Sequence, residues 1–167
     1  MGYLEHKELS PRQIDVAVIT VSDSRTLDTD ESGKLIINSL KEGGHRVREY
    51  LIIKNNSAEL LEKLENLLKR EDINAIITTG GTGISQHDIT IETISQLIDK
   101  KIDGFGELFR LLTYQEIGTG SIMSRALAGV AKGKVIICLP GSVDAVKLAV
   151  DRIILPEIGH LTREATR

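Results

Sequence analysis

Three short segments of small and polar residues carry most of the chemistry that this sequence could support: Ser22-Asp23-Ser24, Thr79-Gly80-Gly81-Thr82-Gly83 and Pro140-Gly141-Ser142. Each segment follows an apolar run, so each is predicted to begin where a buried strand ends. Because glycine has no side chain to block an anion, the backbone N–H groups of such turns can hold phosphate. Ligands of open parallel sheets bind beyond the carboxyl ends of the strands. The sequence therefore predicts one anion site to which three loops contribute.

The glycine-rich segment over residues 79–83 has two interpretations. It lacks the lysine of the nucleotide-binding P-loop, and it does not match the dinucleotide-binding fingerprint. A tight strand-to-helix turn that requires positive φ explains the glycines equally well. Two nearby carboxylates favour the phosphate interpretation, since Mg²⁺ bridges carboxylate oxygens to phosphate oxygens. These carboxylates, Asp88 and Glu92, are the predicted metal ligands.

Each of these two acids also has a purely structural explanation. Asp88 could cap the helix predicted to begin at Thr90, where a side-chain oxygen accepts from a free N–H group. Glu92 could stabilise the first turn of the same helix through the helix dipole. His87 has no partner in the sequence and is predicted to be an exposed loop residue. The sequence alone leaves both interpretations of both acids open.

A second group of candidates lies in the irregular stretch over residues 101–132. Ser124 and Arg125 follow a glycine-rich segment, and an arginine there could bind a second anion with its bidentate guanidinium. The alternative is a serine that starts a helix and an arginine on the surface. Phe105 and Phe109 lie four residues apart and are predicted to pack in the core or in a subunit interface rather than on a cofactor.

Alternating strands and helices must position these loops. Apolar runs predict strands over residues 14–21, 47–53, 73–79 and 134–139, and helical spacing predicts helices over residues 31–40, 56–68, 90–100 and 143–154. This order predicts right-handed parallel crossovers with helices on both faces of the sheet. The fold class is therefore α/β, a doubly wound, mostly parallel sheet in a three-layer α/β/α arrangement. Pro156 is predicted to kink or end the last helix.

Composition indicates one globular domain. The chain has 167 residues, of which 41% are hydrophobic, and this length suffices for an aliphatic core without disulfides. Residues 1–13 are predicted to form a flexible amino-terminal tail, because termini are poorly ordered unless they are tied down. Residues 14–167 are predicted to form the single domain.

Composition and spacing also exclude several classes of function. The net charge of −3 gives no basic surface for nucleic acid, and no apolar run reaches the length of a membrane span. The polar amino terminus and the lone cysteine, Cys138, predict a cytoplasmic protein. The four histidines stand at positions 6, 45, 87 and 160 without a nearby His or Cys, so the sequence predicts no zinc site.

Several motifs, taken together and in this order, resemble those of the molybdopterin adenylyltransferases. These proteins form the MoaB/Mog group, which also includes the G domain of gephyrin-like proteins. The resemblance extends over residues 15–160, and residues 113–129 are more similar to the MoaB branch than to the Mog branch. The motifs are the glycine-rich segment 79–83, Asp88 to Glu92, Gly104 to Glu107 with Arg110, Ser124-Arg125-Ala126, and Leu139 to Ser142.

The resemblance implies a reaction and a distribution of roles. Family members adenylylate molybdopterin with Mg-ATP and release pyrophosphate before molybdate is inserted, so Mg²⁺ and ATP are the implied cofactor and co-substrate. Asp88 would be catalytic and would bind Mg²⁺. The implied nucleotide-binding residues are Ser22, Asp23, Thr79, Gly80, Gly81, Thr82 and Gly83. The implied molybdopterin-binding residues are Ser124, Arg125, Pro140, Gly141 and Ser142.

The resemblance also implies partners. Members of the group form homotrimers, and MoaB-type proteins form hexamers. An apolar segment around Phe105, Phe109, Leu111 and Leu112 is predicted to become buried between copies of the chain. A molybdate insertase is a further implied partner.

One position departs from the pattern of the family. Mog-type enzymes carry an acid after the second strand, where this sequence has Asn55. An asparagine supplies no negative charge, although its amide oxygen can still ligate a hard cation. Two functions therefore remain open. The first is an adenylyltransferase with Asp88 and Asn55 as its catalytic residues, and the second is a catalytically weak molybdopterin-binding oligomer or scaffold.

Overall fold

The computed structural model describes residues 2–167. Across these residues, six strands form one sheet: β1 (Asp15–Val21), β2 (Arg46–Ile53), β3 (Ala75–Thr79), β4 (Lys100–Lys101), β5 (Leu127–Ala131) and β6 (Lys134–Leu139). The α-helices of the same residues are α1 (Tyr3–Glu8), α2 (Glu31–Glu42), α3 (Ser57–Leu68), α4 (Thr90–Ser95), α5 (Asp103–Ile117), α6 (Val143–Ala149) and α7 (Leu155–Ala165). A 3₁₀ segment, Gly118–Met123, follows α5, and a π-helical turn, Val150–Ile154, joins α6 to α7. Within this described part of the chain, no helix is both long and apolar enough to cross a membrane.

The sheet has the strand order β2-β1-β3-β6-β5-β4, and β2, β1, β3 and β6 are parallel. Its central strands are apolar on both faces because helices cover each face. Val16 and Val18 of β1 join one core cluster, to which α2, α5, α6 and α7 contribute. Ala17 and Ile19 join a second cluster with α3 and α4. The three-layer α/β/α fold predicted from the sequence is confirmed.

The sequence did not predict the two strands, β5 and β4, that form one edge of the sheet. Both strands are antiparallel to their neighbours. The hairpin between β5 and β6 turns at Lys132 and Gly133, whose φ angles are 48° and 74°. Positive φ at both central residues is the usual geometry of a two-residue hairpin. Because β5 reads Leu-Ala-Gly-Val-Ala, it lacks the β-branched pattern by which a strand is recognised.

Two predicted helices differ in extent from the helices of the structure. α4 ends at Ser95 rather than at Lys100, because the chain turns and then forms β4. The last helix continues past Pro156, through the π-helical turn and into α7. Pro156 lies in the first turn of α7 and has no N–H group to donate. The preceding π-helical turn has a wider hydrogen-bond spacing, which accommodates this residue.

The structure also differs from the flexible tail predicted over residues 1–13. Met1 lies outside the described residues, but residues 3–8 form α1. Tyr3 and Lys7 of this helix donate to Glu157 of α7 at 2.5 and 2.7 Å. No residue of α1 is buried, so long polar side chains make the contact. A hydrophobic pattern therefore gives no signal for this helix.

Candidate functional site

A cleft of about 450 Å³ opens at the carboxyl ends of β1 and β3. This is the edge at which open parallel sheets bind ligands. All three predicted segments contribute to its lining, together with the position that departs from the family pattern. The predicted residues that line the cleft are Ser22, Asp23, Asn55, Thr79, Gly80, Gly81, Gly141 and Ser142.

The glycine loop, residues 79–83, owes its shape to two glycines. Gly80 and Gly81 have φ angles of 92° and 64°, which strain any residue with a side chain. A Cβ atom at Gly80 would collide with the carbonyl oxygen of Val21, and one at Gly81 would collide with the hydroxyl of Thr90. The hydroxyl of Thr90 also donates to the Gly80 carbonyl at 2.8 Å. The glycines are thus required for the turn itself, and any phosphate role depends on groups that the turn leaves free.

Backbone N–H donors are free at the edge of the cleft. Among residues 2–167, the N–H groups of Gly81 and Gly141 have no hydrogen-bond acceptor, and both residues line the cleft. The two loops are joined by Thr79, whose hydroxyl donates to the Pro140 carbonyl at 2.7 Å. Ser142 caps α6 with its hydroxyl oxygen. Unpaired N–H groups at the edge of a cleft can bind an anion.

Asp23 and Asn55 form a hydrogen-bonded pair in the cleft. Asn55 donates to the carboxylate through its backbone N–H at 2.9 Å and through Nδ2 at 3.2 Å. The backbone N–H of Asn55, with help from its side chain, holds the pKa of Asp23 below the ordinary value. The amide oxygen of Asn55 is buried and has no hydrogen-bond partner in the described chain. Asn55 thus donates to Asp23, whereas an acid at position 55 would repel that carboxylate. The amide oxygen of Asn55 stays unpaired.

Asp30 also lines the cleft, although the sequence prediction omits it. This acid is only 2% exposed, and it caps α2 by accepting from the N–H of Gly33 at 2.9 Å. The hydroxyl groups of Thr20 and Tyr50 each donate to its Oδ2 at 2.5 Å. Burial, together with the hydrogen bond to Asp30, raises the pKa of Tyr50. An aspartate directly before a predicted helix is a capping signal, so sequence rules could have found the cap but not its place in the cleft.

Asp88 closes the turn that follows the glycine loop. Its Oδ2 accepts from the backbone N–H and the hydroxyl of Ser85 at 3.0 and 2.7 Å. The hydroxyl of Ser85 holds the pKa of Asp88 below its ordinary value, although burial opposes the shift. The N-cap position of α4 is occupied by Ile89, without a side-chain cap. The capping explanation of Asp88 is therefore wrong. His87 beside it is exposed, as predicted.

Arg125 bridges two other predicted site residues. Its Nη1 donates to the carbonyl oxygen of Gly83 at 2.7 Å, and its Nη2 forms a short ion pair with Glu92. The hydrogen bond from Arg125 lowers the pKa of Glu92, against the effect of burial. Glu92 also lies in the first turn of α4, as its structural explanation requires. Arg125 binds Oε1 of Glu92, so metal ligation by this carboxylate would use Oε2 or displace the arginine.

A second cavity, of about 230 Å³, adjoins Arg125. Its lining carries three basic side chains, those of Lys101, Arg110 and Arg125, and two acids, Asp103 and Glu107. The remaining predicted site residues lie around the two cavities rather than in them. Within residues 2–167, the predicted residues that line neither cavity are Thr82, Gly83, Asp88, Glu92, Ser124 and Pro140.

The apolar surface near α5 differs from the predicted one. Phe105 and Phe109 are 4% and 0% exposed, so they belong to the core, which was one of their two predicted places. Leu112 is partly buried against the same core, whereas Leu111 is exposed. The exposed apolar stripe, called here the α5 stripe, consists of Leu108, Leu111, Tyr114, Ile117, Ile122 and Met123.

Known sequences resemble the chain over nearly its whole length. The family described as "Probable molybdopterin binding domain" matches residues 17–160. Molybdenum cofactor biosynthesis protein B of Bacillus cereus is 44% identical, over 100% of this chain and 99% of that relative. The protein of the same name from Halalkalibacterium halodurans is 48% identical, over 98% of this chain and 97% of the relative.

A solved structure supports the same assignment. The tungsten cofactor synthesizing protein MoaB from Pyrococcus furiosus is similar, with a TM-score of 0.85 at 38% identity. The match covers 95% of this chain and 100% of that one. Sequence and fold agree along the length of the chain, which therefore belongs to the family of probable molybdopterin binding domains.

Proposed function

We propose that this protein adenylylates molybdopterin, by transferring AMP from Mg-ATP to the phosphate of molybdopterin with release of pyrophosphate. The observation that carries the proposal is the pair of unpaired N–H groups, those of Gly81 and Gly141, at one cleft. Such donors suit phosphate groups. The relatives are named for molybdenum cofactor biosynthesis, which supports the same pathway for this chain.

In the proposed complex, the phosphates of ATP occupy the cleft and accept from the glycine loop, while Gly141 is left for molybdopterin. The turn beside them is already formed, because the hydroxyl oxygen of Ser22 accepts from the N–H groups of Ser24 and Arg25 at 3.3 and 3.1 Å. Asp23 and Arg25 line the same wall of the cleft. Groups held in place before binding need no reorganisation during reaction, which is the main electrostatic contribution to phosphoryl transfer.

The oxygen atoms around the glycine loop fit Mg²⁺, a hard cation that binds carboxylate and amide oxygens. Asp88 and Asp23 are carboxylates with lowered pKa values, and Asn55 has an unpaired amide oxygen. Asp88 would hold the ion, and Asn55 would support it in place of the acid found in Mog-type enzymes. Glu92 would join through Oε2, the oxygen that Arg125 does not bind. Bound Mg²⁺ would neutralise charge on the phosphates.

Molybdopterin, in this proposal, lies on the Arg125 side of the glycine loop. The guanidinium groups of Arg125 and Arg110 both line the second cavity, and guanidinium suits a phosphate. Ser124 and the Pro140-Gly141-Ser142 turn would contact the pterin between this cavity and the cleft. The two substrates would then approach each other across one loop.

The reaction needs positioning and charge neutralisation more than a covalent nucleophile. A phosphate oxygen of molybdopterin attacks the α-phosphorus of ATP. The new P–O bond forms while the bond to the bridging oxygen breaks, and pyrophosphate leaves with the electron pair. Cys138, the cysteine of this chain, is buried in the core, so direct transfer between the substrates agrees with the available side chains.

Pyrophosphate release tests this proposal. The protein is mixed with molybdopterin and Mg-ATP, and we expect release that requires all three components. Molybdopterin binding is measured in parallel by fluorescence titration. Arg125→Gln should weaken molybdopterin binding, whereas Lys41→Gln, at an exposed position of α2, should leave binding and release unchanged. Wild-type protein that binds both substrates without any release would overturn the proposal.

The bond between Asn55 and Asp23 favours a second function. It engages the carboxylate of Asp23, and an amide at position 55 adds no negative charge beside it. A catalytically weak oligomer or scaffold would hold molybdopterin without consuming ATP. In the same assay, this function predicts molybdopterin binding without pyrophosphate. Asn55→Asp would then raise the release of pyrophosphate above the wild-type rate.

We also infer that the protein is a homo-oligomer, a trimer or a hexamer. The α5 stripe exposes six large apolar side chains along one helix and the segment after it. Contiguous apolar surface of this kind is commonly buried against another chain, and copies of the same chain are the commonest partners. The molybdate insertase would receive the adenylylated product.

A further inference from the structure

The corner between α1 and α7 holds a group of metal-ligating side chains outside the cleft. His6 lies on α1, and His160 and Glu164 lie on α7. One donor atom from each of the three side chains lies within 4.8 Å of the other two. The side chains of His6, His160 and Glu164 are 21%, 20% and 38% exposed, so the group is accessible from solvent but partly enclosed.

His160 is already oriented by a carboxylate. Glu157 places Oε2 at 3.2 Å from Nδ1 of His160, which makes this nitrogen the proton donor and leaves the lone pair on Nε2. Metal-binding histidines are commonly fixed by a carboxylate in this way. The other oxygen of Glu157 accepts from Tyr3 and Lys7 at 2.5 and 2.7 Å, so Glu157 is itself held in place.

Two acceptors of the group face each other. Nδ1 of His6 lies 3.1 Å from Oε1 of Glu164. Nη1 of Arg163 lies 3.3 Å from the histidine nitrogen and 2.5 Å from the same carboxylate oxygen. Nδ1 of His6 donates to Glu164 in one imidazole tautomer and accepts from Arg163 in the other, since a guanidinium can only donate. In the second tautomer, a lone pair of His6 and an oxygen of Glu164 both face the same Arg163 nitrogen.

We propose that this corner is a binding site for a divalent transition-metal ion, of which Zn²⁺ is the best fit. Neutral imidazole and carboxylate are ligands that Zn²⁺ prefers, and water would complete a four-coordinate site. The metal takes the place of the Arg163 nitrogen between His6 and Glu164, and His160 supplies the third ligand. Tetrahedral bonds of about 2.0–2.1 Å place ligand atoms about 3.4 Å apart. Nδ1 of His6 and Oε1 of Glu164, which are 3.1 Å apart, would therefore separate slightly, and His160 would move to the same spacing.

The proposed metal would hold two helices together. Because its ligands come from α1 and α7, binding links one helix to the other. Positive side chains at the corner oppose a cation. Lys7 is paired with Glu157, whereas Arg167 is paired with Glu164 and would share that carboxylate with the metal. Arg163 is the direct competitor, because it occupies the position of the metal.

Calorimetric titration of the full chain with Zn²⁺ tests the proposal. We expect one ion per chain, and we expect His6→Ala and His160→Ala each to weaken binding by at least about tenfold. Glu157→Gln should weaken binding by about tenfold, because it removes the group that orients His160. His87→Ala, at an exposed loop histidine, is the matched control and should bind as wild type does.

Arg163→Gln gives the sharpest result, because it should bind Zn²⁺ more tightly than wild type. A structural ion pair alone would predict no change or a loss. Amide hydrogen exchange supplies an independent measurement, since Zn²⁺ should slow exchange in residues 3–8 of the wild type and not of His160→Ala. Equal Zn²⁺ affinity in wild type and both histidine variants would overturn the proposal. Unchanged exchange in residues 3–8 of metal-loaded wild type would overturn it as well.

Discussion

The two ends of the parallel sheet are held together by different kinds of group. At the carboxyl end, backbone atoms and short hydroxyl side chains form the cleft, as in the bond from Thr79 to the Pro140 carbonyl. At the amino end, long charged side chains dominate, and Asp15 accepts from Arg46 and Arg48 at 2.7 and 2.8 Å. The carboxyl end thus depends on backbone shape, which one added side chain can destroy. The amino end depends on several side chains that can replace one another.

Gly81→Val should have the largest effect, because it changes both the backbone and the space at the carboxyl end. The φ of Gly81 is 64°, and a side chain there meets the hydroxyl of Thr90 and the amide oxygen of Asn55. We expect the free energy of unfolding to fall by at least about 3 kcal/mol, from backbone strain and overpacking together. ATP affinity should fall sharply. Thermal melting and calorimetric titration with ATP measure the two effects.

Gly118→Ala is the matched control for this substitution. Gly118 has a similar φ of 66°, but a Cβ atom there meets nothing within 4 Å. The φ of 66° and ψ of −140° at Gly118 are rarely adopted by residues other than glycine, so we expect a loss of about 1–3 kcal/mol from backbone strain and no change in ATP affinity. If Gly81→Val bound ATP as wild type does, the glycine loop would be a turn and nothing more.

Asp88→Asn should separate function from stability at the carboxyl end. The amide oxygen of asparagine can still accept from Ser85, so the free energy of unfolding should change by about 1 kcal/mol. Pyrophosphate release should drop by about 100-fold or more, because the proposed Mg²⁺ ligand loses its negative charge. Asp72→Asn, an exposed acid before β3 that is paired with Arg70, should release pyrophosphate at the wild-type rate. Full release by Asp88→Asn with normal Mg²⁺ dependence would remove Asp88 from the reaction.

Leu111→Glu tests whether the α5 stripe, which belongs to neither end, is covered in the assembly. A buried glutamate without a partner is costly, so the variant should dissociate to single chains at micromolar concentration. Leu4→Glu, at a leucine that is 70% exposed on α1, should assemble normally. Light scattering measures the mass of both variants. A single-chain mass for the wild type would show that the stripe is not a subunit interface.

Asp15→Asn should have the smallest effect and should leave the cleft untouched. The side chain of Arg46, with Arg48, holds the pKa of Asp15 below its ordinary value against the cost of burial. A lowered carboxyl pKa contributes stability above the unfolded value and loses it as the pH falls through the folded value. The variant should lose about 1 kcal/mol at pH 7, and the difference from wild type should vanish in acid. Urea unfolding at neutral and acidic pH measures this; an equal difference at both would contradict it.

The carboxyl end was predictable because parallel topology alone determines it. Strands joined by helical crossovers finish at the same edge of a sheet, so residues 79–83 and 140–142 had to meet. The glycines of residues 79–83 also predicted a turn with positive φ angles, which Gly80 and Gly81 have. The antiparallel edge escaped prediction, since residues 127–131 are small and the turn at Lys132 and Gly133 carries no hydrophobic signal.

Contacts between distant side chains were not predictable. The pairing of Arg125 with Glu92 and that of Tyr50 with Asp30 depend on how helices and loops pack, and no spacing in the sequence encodes them. The amino-terminal helix shows the same limit. Histidines that stand alone in the sequence become neighbours once α1 lies on α7, with ring centroids 6.3 Å apart.

Arg125 connects the two cavities through its two hydrogen bonds. One nitrogen holds the Gly83 carbonyl and the other holds Glu92, so a ligand that draws the guanidinium toward itself loosens both attachments at once. Occupancy of the second cavity then changes the freedom of the loop that borders the cleft. Thermodynamic linkage makes this influence mutual: if one ligand changes the affinity for the other by some factor, the second changes the affinity for the first by the same factor. A titration of either ligand in the presence of the other thus measures the free energy of coupling that Arg125 would transmit between the two cavities.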